Sequence, residues 1–429
     1  PSLDSNGYFD KFHLKNSYIY HNLAWKERIG SYWKFAAGVS YTNNQDKIES
    51  GLQDANKQDV NLVGLQFKNF GISPTGDYFN AKAVLERRLY GLSAIRFGGE
   101  YNYSNDHAIF RDFNNNQYPI KVKENIVAAF AETDIYITNA LAAKLGTRFE
   151  HSSYLEKVNI APRISLAYKT GKSSQASLAY GIFYQNPEAK YLPTQNPLDF
   201  SKATHYIAQY QKTTSVRVFR AEAFYKKYDR LVKTGIANGR EGAVNNNGFG
   251  DAKGFEIFWR DKKTIKDLDY WISYSYLDTK RDFLNFPYET RPNFAARHTA
   301  NLVVKKFVLP WKTGFNIAYN YASSRPYYNI MFDGSKYKFT DKGEVPDYHN
   351  VSFSINYIPT IGKQNAKGFA VYVFSVSNVL NLKQVYGYQY SFDGMKKAEI
   401  VPPSRMFVFI GAFFSFGIDR TQDAINNNL

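Results

Sequence analysis

Strict two-residue alternation between Leu141 and Tyr184 constrains this chain more than any other feature. In Leu141 to Glu150 one set of side chains is Leu141, Ala143, Leu145, Thr147 and Phe149, and the other is Ala142, Lys144, Gly146, Arg148 and Glu150. A period of two sends these sets to opposite sides of a pleated strand. The same split recurs from Gln175 to Tyr184, with Ala176, Leu178, Tyr180, Ile182 and Tyr184 against Gln175, Ser177, Ala179, Gly181 and Phe183. Val158 to Tyr168 lies between them and returns through Thr170-Gly171-Lys172. A soluble sandwich would turn the apolar face inward to a shared core. Here the opposite face collects charged and small residues, which suits the lumen of a membrane barrel whose apolar face meets lipid.

Composition supports that choice. The 429 residues could hold two or three ordinary domains or one large β architecture. Tyr and Phe number 35 and 34, far above the needs of a soluble enzyme. The mean hydropathy of −0.46 reads as soluble, but a barrel wall hides its apolar signal because every second residue faces water. The longest nearly apolar run, Met406 to Ile418, is too short for a spanning helix and is broken by Ser415, which excludes a transmembrane helix. Without cysteine there are no disulfides and no thiolate metal sites. The formal charge of +16 fits anionic lipid headgroups, an anionic ligand or nucleic acid. The basic residues are spread along the chain rather than gathered in a patch, so barrel rims and lumen wall are the reading adopted, and no nucleic acid is expected. The chain opens at Pro1 with neither signal peptide nor initiator Met, so upstream processing or truncation is expected.

In order, strands are expected at Tyr18 to Trp25, Tyr32 to Asn43, Tyr78 to Leu89, Ile95 to Tyr103, Asn125 to Ile137 and Leu141 to Tyr154. After the organising block come Ala203 to Gln211, Ser215 to Tyr228, Gly254 to Arg260, Leu268 to Leu277, His298 to Phe307 and Thr313 to Tyr321. Tyr348 to Tyr357, Phe369 to Val376 and Met406 to Phe416 finish the wall. Long loops are expected at Asn44 to Gly76, with a short strand in Val60 to Phe67, and at His107 to Lys121, around Leu192 to Pro197 and at Thr234 to Gly250. Three more follow, Asp278 to Phe294, Arg325 to Asp347 and Asn378 to Pro403. Connections alternate short and long, as in barrels with tight periplasmic turns and long extracellular loops. About seventeen strands emerge. An odd number leaves the first and last running the same way, and a closed antiparallel barrel cannot seal on two parallel neighbours. Either one strand is unread or the chain belongs to a larger barrel.

Several stretches then resemble the C-terminal part of the barrel of TonB-dependent outer-membrane receptors. They include Ile126-Val-Ala-Ala-Phe-Ala-Glu-Thr-Asp-Ile-Tyr136, Leu145-Gly-Thr-Arg-Phe-Glu-His151, Ala161-Pro-Arg-Ile-Ser-Leu-Ala167 and Tyr180-Gly-Ile-Phe-Tyr-Gln-Asn-Pro-Glu188. Further on come Lys202-Ala-Thr-His-Tyr206, Ala221-Glu-Ala-Phe-Tyr-Lys-Lys-Tyr-Asp-Arg-Leu231, Gly254-Phe-Glu-Ile257 and Arg297-His-Thr-Ala-Asn-Leu302. Ser324-Arg-Pro-Tyr-Tyr328 and the aromatic strand after Pro403-Ser-Arg405 close the series. Each is degenerate alone, but their order covers most of the chain. The resemblance implies an all-β, antiparallel transmembrane barrel of twenty-two strands around an N-terminal plug. No plug and no TonB-engaging box is identifiable, so the plug and the remaining strands are expected outside this chain. Residues 1–418 are expected to form barrel and 419–429 a polar tail.

The resemblance implies TonB-coupled uptake of a scarce solute (siderophore, cobalamin, glycan or peptide) across the outer membrane of a Gram-negative bacterium. The alternatives are an uncoupled, porin-like or structural barrel, and a soluble all-β carbohydrate-active enzyme, against which the outward aromatic faces argue. Membrane lipid, lipopolysaccharide, the plug and TonB are the implied partners, with no cofactor and no catalysis. His13, His21, His107, His151, His205, His298 and His349 show no metal-ligand spacing. Asp134, Glu150 and Glu222 read as wall charges paired with Lys144, Arg148 and Arg220 rather than as acid–base groups. Gly-rich Asn238 to Gly242 lacks the ending of a phosphate loop and reads as a loop tip. Where strands meet long loops, Tyr184, Gln185, Tyr191, Arg281, Tyr288, Arg291, Arg325, Tyr327, Tyr328, Tyr386, Tyr388 and Tyr390 are the ligand-binding candidates. Aromatic and Arg groups on a concave mouth hold a solute by stacking and bidentate hydrogen bonds. The competing reading, favoured for most of them, is an interfacial girdle facing headgroups.

Overall fold

The computed structural model describes residues 2–193, 197–237, 240–362 and 368–416. Alternation drives the chain into long hairpins. β1 (Phe9–Ile29) pairs with β2 (Trp33–Gln53), which carries a two-residue stub, β3 (Asp59–Val60). Next come β4 (Phe70–Arg88), β5 (Ala94–Arg111), β6 (Gln117–Tyr136), β7 (Leu141–Ser152) and β8 (Lys157–Gly171). β9 (Ser174–Gln185), β10 (Ser201–Thr213), β11 (Arg217–Ala237) and β12 (Arg240–Asp261) continue the wall. It proceeds through β13 (Leu268–Asp282), β14 (His298–Val308) and β15 (Thr313–Ala322). A separate hairpin, β16 (Pro326–Phe332) with β17 (Tyr337–Glu344), precedes β18 (Tyr348–Tyr357) and β19 (Gly368–Ser377). A second separate hairpin, β20 (Gly387–Tyr390) with β21 (Lys397–Ile400), precedes β22 (Phe407–Phe416).

Among the described residues the main sheet has 18 members. Setting aside the stub leaves seventeen wall strands, each antiparallel to its neighbours, as the alternation implied. β1 therefore runs in the same direction as β22. β1 pairs only with β2, and β22 only with β19; among the described residues no ladder joins the two edges. Their extracellular ends nevertheless touch. The Phe392 N–H donates to Asp4 Oδ1 at 2.5 Å, and the Phe67 and Phe392 rings lie 4.6 Å apart. No helix of the described residues is long and apolar enough to cross a membrane; strands make the crossing.

Register confirms the two faces. Leu145 stands opposite Ile164 and Thr133, and Phe149 opposite Ile160, all on the outer side. Across the lumen side, Lys34 pairs with Glu86, Glu86 with Arg96 and Arg96 with Glu132. The short turns lie at one end. Gly30 and Gly91 in two of them adopt φ of +60° and +65°, left-handed values that glycine reaches without steric cost. At the β14–β15 turn, Pro310 sits in a one-turn 3₁₀ segment, Leu309–Trp311, where no ladder hydrogen bond is asked of it.

Three of the expected loops are corrected. Much of Asn44 to Gly76 is strand, since β2 runs on to Gln53 and β4 starts at Phe70; the short strand expected in Val60 to Phe67 is only the stub ending at Val60. His107 to Lys121 shrinks to a turn, Asp112 to Asn116, with Asp112 Oδ1 accepting from the Asn114 and Asn116 N–H groups. Thr234 to Gly250 is likewise the paired ends of β11 and β12, with register shifts after Tyr228, Leu231 and Gly235. The cause is common to all three. Above the bilayer a strand no longer turns one face to lipid, so hydropathy stops alternating while backbone pairing continues. Arg325 to Asp347 and Asn378 to Pro403 hold the two separate hairpins. Asn238 and Gly239 and the tail 419–429 lie outside the described residues.

Candidate functional site

Charges on the lumen wall form ladders. Glu86 accepts from Lys34 Nζ at 2.9 Å and Arg96 Nε at 2.7 Å, and Arg96 Nη1 reaches Asp134 at 2.7 Å. Lys144 Nζ lies 2.6 Å from Glu132 and 4.0 Å from Asp134. Arg148 bridges Glu100 at 3.1 Å and Glu150 at 2.8 Å. Asp134 and Glu150 are thus wall charges held by the lysine and arginine expected, with Arg96 as an added partner. Glu222 differs. Its carboxylate accepts from Gln209 Nε2 at 3.3 Å, and no ion pair to Arg220 forms.

The outer wall carries its own aromatic band. Tyr180, Tyr206 and Tyr225 stand in one cross-strand row with ring centroids 5.2 and 6.1 Å apart. His298 Nδ1 lies 2.7 Å from the Tyr274 hydroxyl, and His349 Nδ1 2.9 Å from that of Tyr319. These rings face outward on the wall, apart from the candidates at the loops.

The candidates separate into three places. Tyr184 and Tyr191 pack against a buried cluster of Val122, Leu155, Leu192, Leu198, Phe200 and Val244. Leu192, Leu198 and Phe200 come from the connection after β9, which is folded onto the wall. Burying each such side chain contributes ~1.5–3 kcal/mol, so this group anchors a loop. Arg230 lies over the Tyr184 ring at 5.6 Å, while Gln185 ends β9 exposed.

A second group lies where the β16–β17 hairpin meets β20–β21. Tyr327 and Tyr388 are 4.5 Å apart, with the Lys397 ammonium 4.5 Å from each ring. Lys397 Nζ also reaches Asp341 at 2.9 Å, and the Tyr390 hydroxyl donates to Asp341 at 2.7 Å. The Tyr390 hydroxyl, followed by Lys397, holds the Asp341 carboxyl below its ordinary range. Arg325 Nη2 donates to the Tyr386 carbonyl at 3.1 Å, and the Tyr386 hydroxyl to Gln384 at 3.2 Å. These tyrosines stand in hairpins separate from the wall, so the girdle reading does not hold for them.

The third group forms a recess. Tyr328 stacks on Phe339 at 4.6 Å, and Phe339 meets Tyr288 edge-on at 5.1 Å and Phe286 at 6.0 Å. The Tyr328 hydroxyl donates to the Arg291 carbonyl at 2.8 Å, and the Arg291 guanidinium pairs with Glu344. Beside these rings opens a cavity of about 660 Å³, lined by Phe286, Pro287, Tyr288 and Phe339 with Lys233, Lys336, Lys338 and Lys342. Lys233 is neutralised by Asp282 and Lys338 by Asp333. Lys336 and Lys342 are exposed and have no side-chain partner among the described residues. Arg281 stands nearby with its guanidinium 4.3 Å from Tyr228 and 5.3 Å from Phe294; its buried Nε has no hydrogen-bond partner. Of the residues beside this recess, the sequence reading named Tyr288 and Tyr328 and did not name the four lysines. The alternation Lys336-Tyr-Lys-Phe-Thr-Asp-Lys342 inside a presumed loop was the signal available.

Comparison with known proteins agrees with this architecture. A family model described as TonB dependent receptor-like, beta-barrel, matches residues 2–381. No curated protein sequence matches the chain. The ferric yersiniabactin uptake receptor FyuA from Yersinia pestis superposes with a TM-score of 0.72 at 13% identity, covering 96% of this chain and 63% of that one. The outer membrane transporter YddB from Escherichia coli gives 0.68 at 12%, covering 96% and 66%. P. aeruginosa FpvA, in complex with iron and a heterologous pyoverdine, gives 0.70 at 10%, covering 93% and 56%. The chain therefore spans less than two-thirds of each of these proteins. With a wall of seventeen strands, a charged lumen, an apolar outer face and a family match over most of its length, the chain belongs to the TonB-dependent receptor-like β-barrel family of the Gram-negative outer membrane.

Proposed function

We propose that this chain is the larger share of the wall of a receptor that takes up a scarce solute by coupling to TonB. An N-terminal plug and further strands outside the chain complete it. The unpaired edges of β1 and β22 support the second half of that statement, because parallel neighbours cannot seal an antiparallel barrel and bare edges in hydrocarbon cost several kcal/mol per group. The observation that carries the first half is the recess beside Tyr288 and Phe339. Aromatic faces flanked by the free ammonium groups of Lys336 and Lys342 offer stacking and charge to one solute at the extracellular lip. Siderophores are the first class to screen, since FyuA and FpvA take iron chelates; cobalamin, glycans and peptides follow.

The test is uptake of labelled candidates by cells carrying the parent protein, with TonB present or deleted. Uptake that vanishes without TonB, and binding weakened roughly tenfold at low salt by Lys336→Glu with Lys342→Glu, is the expected result. Entry at equal rate in both strains would replace this reading with an uncoupled pore.

A further inference from the structure

The outer wall of β8 to β12 holds a trough that none of the foregoing uses. Register sets its shape. One cross-strand row is Leu166, Leu178, Ala208, Ala223 and Phe255; the row nearer the short turns is Tyr168, Ala176, Tyr210, Ala221 and Ile257. Larger side chains rise on either side of the alanines and leave two hollows of about 650 and 480 Å³ that share Leu166, Leu178, Ala208 and Ala223. The trough begins at the periplasmic end and is closed above by Tyr180, Tyr206 and Tyr225.

At its open end stands Lys212, two residues beyond Tyr210 on the same face, with its cross-strand neighbour Ser174. Thr170 Oγ1 donates to Ser174 Oγ at 2.9 Å, and Lys172 occupies the adjoining turn. Neither lysine has a side-chain partner among the described residues. The next outward cation, Arg217, is already held by Asp261 at 2.8 Å and Thr264 at 2.9 Å. From Lys212 to Tyr206 the strand covers ~20 Å, which a roughly 45° tilt reduces to the depth of one leaflet.

We propose that this trough binds an anionic phospholipid of the periplasmic leaflet, with an acyl chain along Ala208, Ala221 and Ala223 and the phosphate at Lys212 and Lys172. The chemistry divides cleanly. The hollow takes hydrocarbon of any phospholipid, and the two free ammonium groups select a net negative headgroup over a zwitterionic one. The site lies on the opposite face of the wall from the lumen and far from the extracellular recess, so it is independent of the transported solute.

The test is native mass spectrometry of the parent protein in mild detergent, with dipalmitoyl phosphatidylglycerol and dipalmitoyl phosphatidylethanolamine offered in equal amounts. The glycerol lipid should be retained about fivefold over the ethanolamine lipid. Lys212→Gln should abolish that preference while leaving lipid bound, and Ala208→Trp with Ala223→Trp should remove both lipids. Equal retention by the unaltered chain, or a preference that survives Lys212→Gln, overturns the proposal. Should the double tryptophan chain fail to fold, the headgroup preference and its response to Lys212→Gln still decide it.

Discussion

Lys144 and Leu145 are neighbours in sequence and face different solvents. The lysine reaches Glu132 across the lumen wall, and the leucine points outward opposite Ile164. Leu145→Arg should therefore cost about 2–4 kcal/mol in a bilayer, whereas Lys144→Gln, removing a half-exposed ammonium from Glu132 and Asp134, should cost less than ~1 kcal/mol. Urea unfolding in lipid vesicles measures both, and equal costs would contradict the assignment of faces. Such facing was legible because a period of two needs no tertiary knowledge. The candidate binding residues were less so. Tyr184 closes a strand and Tyr288 lies in the loop after one, yet each is an aromatic within three residues of a proline and looks equally available in sequence. One is absorbed by Leu192, Leu198 and Phe200 folding back upon the wall, and the other is left half exposed beside Phe339. Which outcome applies depends on where a loop returns, and local pattern does not encode that.

Among elements, the two extracellular hairpins are joined by a small number of polar contacts centred on Asp341. Its folded-state value is lowered, first by the Tyr390 hydroxyl and then by Lys397. Its contribution is whole above the ordinary carboxylate value of about 3.9 and is lost as pH falls through the lowered value. The junction should hold at pH 5 to 7 and loosen only under stronger acid. Asp341→Asn should loosen it at neutral pH, seen as faster limited proteolysis between Asn378 and Met406 with the wall intact. Unchanged cleavage would show that Arg325 and the Tyr327–Tyr388 contact suffice. Neither hairpin was read from sequence, and the reason is the same as for the underestimated strands. Outside the membrane no lipid-facing apolar row marks a strand, so β17, whose lysines and aromatics alternate over only 8 residues, passed for loop, as did the outer halves of β2, β11 and β12.

For the whole molecule, the two unpaired edges set the pattern of stability. Among the described residues, amides of Phe9–Ile29 that face away from β2 have no wall partner, while those of β5 or β12 are paired on both sides. Hydrogen exchange of the chain alone should be fastest along β1 and β22 and slowest from β5 to β12; uniform protection would mean that the edges have found each other. The number of wall strands and the shared direction of the first and last were legible from turn lengths, since parity survives errors in strand ends. Contact between the loops of the two edges was not, because Asp4 and Phe392 are almost the whole chain apart. The height of the wall carries a different consequence. A strand of 21 residues such as β1, β2 or β11 is ~69 Å long and rises ~49 Å at a 45° tilt, about twice the apolar band of ~25 Å. The upper half is a collar in water, and its length is adjustable in steps of two residues per strand. Removing matched pairs from the tips of β11 and β12 preserves every inward and outward assignment below, so the distance between the extracellular tips and the membrane is a quantity that evolution or a designer can change without refolding the wall.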